Sequence, residues 1–321
     1  MSWTGRAFGL SLRSEFELPG LSEASGEVNH DQGRNLELKL GSAAQSPDVG
    51  WGERIEEWRY PAGAIGLAID WDPERGYRFY IEDGVFELTP DGRQAISHPA
   101  PDSGWRWRRY LTGQVLPFAA LLQGLEVFHA SAVELGGVAV GIVGDTGLGK
   151  STLALNLHLA GAGFLTDDVV AVGLSDSGIV VHPGIPATKI RHAARDLIGP
   201  DHRGVLGELI SEDEIEVRYQ LQGSEGPRPL GALCMLELSP EGLDIELTEE
   251  QLDPWRLLGN TFNLLVQDPD RLSAQLDVCA RIARQARFLR VRVSSRPGPE
   301  AAAQLAAHLW GPIATGGTHG Y

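Results

Sequence analysis

Eight residues, Gly144-Asp145-Thr146-Gly147-Leu148-Gly149-Lys150-Ser151, constrain the fold of this chain more than any other stretch. They fit the spacing G-x-x-x-x-G-K-[ST], in which glycines let backbone N–H groups curl around an anion. The helix that follows aims its positive end at the same point. The flanks agree: 138–143 is an apolar run that reads as a buried strand, and 152–160 carries leucine and alanine at helical spacing. A strand entering such a turn and a helix leaving it predict an α/β sheet with its ligand at the strand ends. There, the residues from Gly144 to Thr152 would cradle a nucleoside triphosphate, expected to be ATP. Lys150 would reach the β- and γ-phosphates, and the Ser151 hydroxyl would ligate Mg2+. Lysine occurs elsewhere only at Lys39 and Lys189, so the match does not come from a lysine-rich background.

A second chemical signal lies downstream. Asp167 and Asp168 interrupt the otherwise apolar run 164–172, and adjacent carboxylates in such a strand are costly unless something compensates them. Mg2+ held with phosphates is a natural compensation, since hard cations prefer carboxylate oxygen. Side chains of neighbouring strand residues point to opposite faces, but at a strand end both can reach one site. One acid would then hold the metal while the other accepts a proton from an attacking hydroxyl. The structural alternative is a tight acidic turn between two strands. Lys189 and Arg191 add two cations that either neutralise transferring phosphate or sit on a solvated helix start, and Arg218 is a candidate of the same kind. His129 opens the strand expected over 128–135, which Gly136-Gly137 joins to 138–143 as a hairpin; alone, it reads as a structural histidine.

Residues 1–110 read as β-rich. Short strands are expected over 8–18, 36–40, 65–70, 77–81 and 85–89, separated by turn-formers such as Pro19-Gly20, Asp72-Pro73 and Asp91-Gly92. Residues 42–47 read as a loop. No titratable cluster suggests chemistry here, so this part is expected to be a scaffold or a partner surface. Trp105-Arg106-Trp107-Arg108-Arg109 interleaves aromatic and basic residues. Such a pattern stacks bases or a peptide, or forms a strand that buries both tryptophans; the acidic chain around it favours the strand. Beyond it, helices are expected over 111–125, from 192, about 249–266, 270–286 and 300–310. Strands are expected over 233–238, 243–247 and 288–293, with a polar loop at 223–229 and a loose tail at 315–321. The division expected is 1–110 and 111–321.

The net charge of −16 over 321 residues argues against nucleic acid or an anionic membrane as partner, because either needs a basic footprint. No run approaches the ~18 apolar residues of a membrane span, and the N-terminus lacks the basic-then-apolar pattern of a secretory signal. Cys234 and Cys279 lack metal-ligand spacing and read as buried residues in a reducing compartment, so the expected location is cytoplasmic.

The combination His129-Ala-Ser-Ala-Val, Gly144 to Ala154, and Gly163-Phe-Leu-Thr-Asp167-Asp168 resembles the catalytic domain of HPr kinase/phosphorylase and its looser relatives. These share a P-loop core with phosphoenolpyruvate carboxykinases. The resemblance is close over about 45 residues, and a Gly-x-Pro element extends it at Gly184-Ile-Pro186. It implies that His129 neighbours the acids in an active site, that Asp167 is the general base towards an acceptor hydroxyl, and that Asp168 supports Mg2+; the two roles could be exchanged. HPr kinases proper carry a glutamate where this chain has Thr152. The β-rich part is more similar to the start of HPr-kinase-like proteins of peptide-modification clusters, including lasso-peptide tailoring kinases. The resemblance also admits self-association into a homo-oligomer.

The sequence therefore predicts an α/β fold, an HPr-kinase/phosphoenolpyruvate-carboxykinase-like P-loop domain preceded by a β-rich region. The function expected is an ATP- and Mg2+-dependent kinase acting on a hydroxyl, serine or threonine of a protein or peptide. A nucleotide-binding assembly or regulatory module with little catalysis, and a small-molecule kinase, are the alternatives.

Overall fold

The structure, a computed structural model, describes residues 3–21, 33–42, 51–176, 178–192, 206–212, 216–239, 245–262, 265–266, 268–293 and 297–310. The expected loop at 43–47, the helix following 192 and the tail at 315–321 lie outside the described residues.

Alternating side chains build the first sheet. Trp3, Gly5 and Ala7 face inwards on one strand, and Leu10, Leu12 and Ser14 on the next, the period-two pattern of a half-buried strand. Eight strands pair in the order Trp3–Ala7, Leu10–Ser14, Asn35–Leu40, Gln94–Pro99, Gly84–Leu88, Gly76–Ile81, Ile65–Asp72 and Glu53–Arg59. The strand expected over 8–18 is shorter, Leu10–Ser14, and forms the second arm of a hairpin with Trp3–Ala7, because Phe8 and Gly9 both take left-handed backbone (φ +53° and +74°) and reverse the chain. Glu53–Arg59 and Gln94–Pro99 were not expected as strands.

The inner face of this sheet is covered by a helical segment: Arg106–Tyr110, a π turn Leu111–Val115, and Leu116–Leu122. Trp105–Arg109 is thus not a strand. Helical spacing brings Trp107 and Leu111 to one face, and both are buried in the core with Leu12, Leu38 and Phe86. A strand would have turned Arg108 and Trp107 to opposite sides; here the Arg108 guanidinium lies over the Trp107 ring, 4.6 Å from its centroid. Pro117 falls at the start of the last helical segment, where its missing N–H costs least. The same core continues through Leu125, Val127, Val169 and Ala171 into the second half of the chain.

The second sheet has nine strands and carries the glycine-rich loop. Its central path is Gly163–Thr166, Ser131–Leu135, Val138–Gly144, Arg228–Leu238, Gly178–His182, Val170–Ser175 and Glu126–Phe128. Val138–Gly144 runs parallel to Arg228–Leu238, and that strand runs parallel to Arg287–Val293. Helices Lys150–Leu159 and Pro299–Trp310 pack on one face through Leu153, Leu157, Leu305 and Leu309. Helix Pro269–Gln285 and the single turn Trp255–Leu258 pack on the other through Cys279, Ile282 and Leu257. The helix expected over 249–266 is largely absent. Glu246, Glu249 and Glu250 belong to strand Ile245–Glu250, where they pair with Arg292, Arg287 and Arg290 of the adjacent strand, an ionic ladder that outweighs local helical preference. A three-stranded sheet, Ala187–Arg191, Glu216–Gln220 and Leu209–Glu212, flanks the site. Cys234 and Cys279 are buried free thiols. No described helix is long and apolar enough to cross a membrane.

Candidate phosphotransfer site

Two stretches of antiparallel ladder meet in a gap. Glu126–Phe128 is followed directly by Ser131–Leu135, and Gly163–Thr166 by Val170–Ser175. Phe128 pairs with Val170 on one side of the gap, and Ala132 with Thr166 on the other. Both pairs belong to one register, so the gap itself carries no slip; the ladder shifts by one residue just beyond it, between Ala132 and Val133. His129, Ala130 and Ser131 face Val169, Asp168 and Asp167 across the opening. The strand expected over 128–135 is therefore two strands with His129 at the break. Asp168 sits in the left-handed region at φ +72°, uncommon for any residue with a side chain, which takes it out of the strand's alternation. Adjacent acids that a regular strand would turn to opposite faces are both kept near the opening.

The Gly144–Gly149 loop lies beside this gap. Gly144 has φ +141°, and a Cβ there would fall 2.7 Å from the Leu236 carbonyl oxygen, so only glycine lets these parallel strands approach. Gly147 and Gly149 have φ of +90° and +99°, and Gly149 precedes the first residue of helix Lys150–Leu159. The Lys150 ammonium donates to the carbonyl oxygens of Gly144 (2.7 Å) and Asp145 (3.2 Å). Burial lowers its pKa, and the negative charges of Asp168 and Asp167 oppose that shift. Leu148 turns away from the cleft and packs on the core under the helix.

Each acid has its own set of partners. Asp167 Oδ1 accepts from the Ser131 hydroxyl (2.7 Å) and from its neighbour's backbone N–H (2.9 Å), and Oδ2 accepts one longer bond from the Thr188 hydroxyl (3.2 Å). Asp168 Oδ2 accepts from the Lys189 ammonium at 2.7 Å. Burial pushes the Asp168 carboxyl upward, but Lys189, His129 and Arg218 outweigh it and hold its pKa below the usual carboxylate value. His129 is exposed, yet desolvation still lowers its pKa, with Asp168 opposing; neutral imidazole prevails at pH 7.

A cleft of about 280 Å³ joins these pieces. Gly144, Asp145, Thr146, Gly147, Gly149, Lys150, Ser151 and Thr152 line one side, and His129, Asp168, Lys189 and Arg191 the other. Asp167 and Arg218 do not line it. They border a smaller adjoining hollow, which Asp168 and Lys189 share. Lys189 and Arg218 are direct cross-strand partners, which explains how residues 29 apart reach one place.

Some residues were not singled out from the sequence. Asn260 receives the His129 backbone N–H on its carbonyl (2.7 Å), and its side-chain oxygen accepts from the Gly144 N–H (3.3 Å), tying the histidine to the loop. Gly259 lines the cleft beside it. Both fall where a helix was expected, so no sequence signal pointed there. Ser131 and Thr188 hold Asp167, and each stands within three residues of a residue that was singled out.

No family model matches the chain. It is 32% identical to the HPr kinase/phosphorylase of Streptococcus salivarius over 132 residues, which is 41% of this chain and 38% of that protein. The HPr kinase/phosphorylase of Streptococcus thermophilus strain LMD-9 is 33% identical over 129 residues, 40% of this chain and 36% of the relative. The chain is HPr-kinase-like. The matched stretch spans less than two fifths of either relative's own length. Among solved structures, the Hpr(Ser) kinase/phosphatase of Coxiella burnetii aligns with 56% of this chain and 91% of its own, at 14% identity and a TM-score of 0.29, too loosely for the superposition to carry an argument.

Proposed function

We propose that this HPr-kinase-like chain is an ATP- and Mg2+-dependent phosphotransferase with a P-loop fold, acting on a serine or threonine hydroxyl of a protein or peptide. The observation that carries this reading is the division of two acids between adjoining hollows. Asp168 borders both, whereas Asp167 borders only the smaller one. A pure nucleotide switch has no use for a second carboxylate turned away from the nucleotide; a kinase needs one to take the acceptor's proton.

In this reading the backbone N–H groups of the Gly144–Gly149 loop and the start of helix Lys150–Leu159 bind the phosphates, and Lys150 swings from its carbonyl contacts to the β- and γ-phosphates. The acceptor hydroxyl meets Asp167 Oδ2, the oxygen with only one long hydrogen bond. Its proton passes to the carboxylate as the new P–O bond forms, and the bond from the γ-phosphorus to the bridging oxygen breaks, leaving its electron pair on ADP. Ser131 and Thr188 fix the carboxylate's direction, and Lys189 and Arg191 face the charge that develops on the transferring group. The donor set suits Mg2+: the Ser151 hydroxyl and the Asp168 carboxylate would offer oxygen ligands from the two sides of the cleft, and Mg2+ commonly takes only one or two carboxylates beside phosphates and water. When bound, it would neutralise phosphate charge. Neutral His129 stays a positioning residue, held by Asn260 on one side and Asp168 on the other.

The division into 1–110 and 111–321, a cytoplasmic location and self-association belong to the same proposal. The test is incubation of the full chain with γ-labelled ATP and Mg2+ against protein and peptide acceptors, with the labelled species identified by mass spectrometry. Label on a serine or threonine supports the reading; tight ATP binding with hydrolysis alone would replace it with a nucleotide-dependent assembly module.

A further inference from the structure

Two small hollows continue from the main cleft towards the first sheet. The nearer, about 60 Å³, begins at Asp168 and Lys189, passes Asp167, and is walled by Phe8, Thr112 and Arg218. The farther, about 50 Å³, shares Thr112, Ile185 and Arg218 with it and ends at Trp105, Arg108 and Arg109. Such narrow spaces, joined end to end, suit one extended chain better than a folded surface.

The first eight-stranded sheet builds the far wall. Phe8, at the hairpin tip, is a bulky residue in left-handed backbone, an arrangement that persists only where surroundings over-determine it. Its N–H donates to the Pro183 carbonyl at 2.7 Å, and its ring is 2% exposed against the stretch holding Gly184. Thr112, on the helical segment covering the same sheet, belongs to both hollows.

The far end is basic in a chain of net charge −16. Arg109 and Arg218 both meet the buried Glu216, at 2.8 and 3.3 Å. Arg108 has no such carboxylate among the described residues. Its guanidinium stacks on Trp107 and borders Phe16 (5.9 Å), and its Nε is buried without a hydrogen-bond partner. A partly exposed guanidinium held by aromatic rings, with its Nε buried and lacking an anion among the described residues, is suited to receive one from a ligand. Arg108 stands one helical turn before Thr112, which is about 6 Å of rise. An extended peptide covers that distance in about two residues.

We propose that this run of hollows is the acceptor groove, and that it takes an extended peptide segment with an acidic residue two or three positions from the phosphorylated hydroxyl. This rests on the kinase reading above and adds to it the substrate's charge pattern and a role for the first sheet as the acceptor-side wall.

The test uses the full chain with Mg2+ and ATP, and peptides with a single serine carrying Glu, Gln or Lys two and three positions to either side. Transfer is measured by mass spectrometry. Binding of fluorescein-labelled copies is measured by anisotropy with a non-hydrolysable ATP analogue. Glu peptides are expected to exceed Gln peptides by about tenfold in kcat/KM, mostly through KM, as one charge-assisted contact would give. Arg108→Glu should invert the order so that Lys peptides win, a gain that a misfolded variant cannot show. Charge-selective binding without transfer would keep the groove and sink the kinase reading. Transfer without charge preference, or a preference that survives Arg108→Glu, would overturn the groove while keeping the kinase. Failure of every peptide to bind or react would overturn it too.

Discussion

Arg271→Met tests the support beneath His129. Strand Glu126–Phe128 ends at that histidine, and its first residue is a glutamate whose side chain is 1% exposed, paired at 2.6 Å with Arg271. Burial raises the Glu126 pKa, and Arg271 only partly offsets this. Glu126 Oε1 and Arg271 Nε are buried without hydrogen-bond partners, so little else compensates the charges. Removing the guanidinium leaves a carboxylate that escapes its penalty by taking a proton. The loss of stability is therefore capped by the cost of that proton. With an unfolded pKa near 4.3 and about 1.4 kcal/mol per pH unit, the cap is about 3.7 kcal/mol at pH 7.0 and about 1.6 kcal/mol at pH 5.5. The sign follows from a folded pKa raised above the unfolded one: the penalty is absent below the unfolded pKa and grows as pH rises towards the folded pKa. At roughly 2 °C per kcal/mol for a chain of this size, the melting temperature should fall by up to about 7 °C at pH 7.0 and by up to about 3 °C at pH 5.5. Thermal melts of both proteins at the two pH values decide it. An equal fall at both would mean that Glu126 does not change protonation and that packing of the arginine stem carries the effect.

Other outcomes follow from the site. Asp167→Asn should leave ATP affinity within about twofold and lower the transfer rate by about 10²–10⁴; transfer at the wild-type rate would remove Asp167 as base, and the same result from Asp168→Asn would locate the metal ligand elsewhere. Lys150→Ala should abolish nucleotide-dependent transfer and weaken ATP binding in calorimetry. Gly144→Ala brings a Cβ to 2.7 Å from the Leu236 carbonyl, and should cost about 1–3 kcal/mol in chemical denaturation, as overpacking does. Ser131→Ala removes a donor to a charged oxygen from a fully buried position; about 1.5–3 kcal/mol of that contact should appear in stability or in kcat, with Ser131→Thr tested for partial rescue.

What was legible in the sequence was which distant residues would stand together. The glycines of the loop, Lys150, Ser151 and the Asp167-Asp168 pair could be read because an anion cradle and compensated acids leave few substitutes, and the structure brings all of them to one cleft and its adjoining hollow. The strands with clean alternation were legible too. Failures came where tertiary contacts overrule local pattern. Trp105–Arg109 alternates like a strand, but Trp107 and Leu111 are claimed by one core and wind the segment into helix. Residues 249–250 carry helix-favouring glutamates that ion pairs with Arg287 and Arg290 hold in a sheet. Asn260 was unreadable because its role is a pair of hydrogen bonds to residues more than a hundred positions away. The break at His129 was unreadable for a related reason: it is a property of two chains facing each other, whereas periodicity is a property of one.

That break also restricts how such a site can change over time. The ladder resumes beyond the gap in the register it had before it, with equal chain length on the two sides. Inserting or deleting one residue in 129–131 or 167–169 would turn Val170 and Val172 or Ala132 to the wrong face unless a further irregularity, like the one already between Ala132 and Val133, absorbed it. The two segments are thus constrained in length by the sheet that surrounds them as well as in residue type by the site they form. In related proteins that keep this sheet, a gap of unequal arms should come with a moved or added bulge beside it, as the one between Ala132 and Val133 stands here.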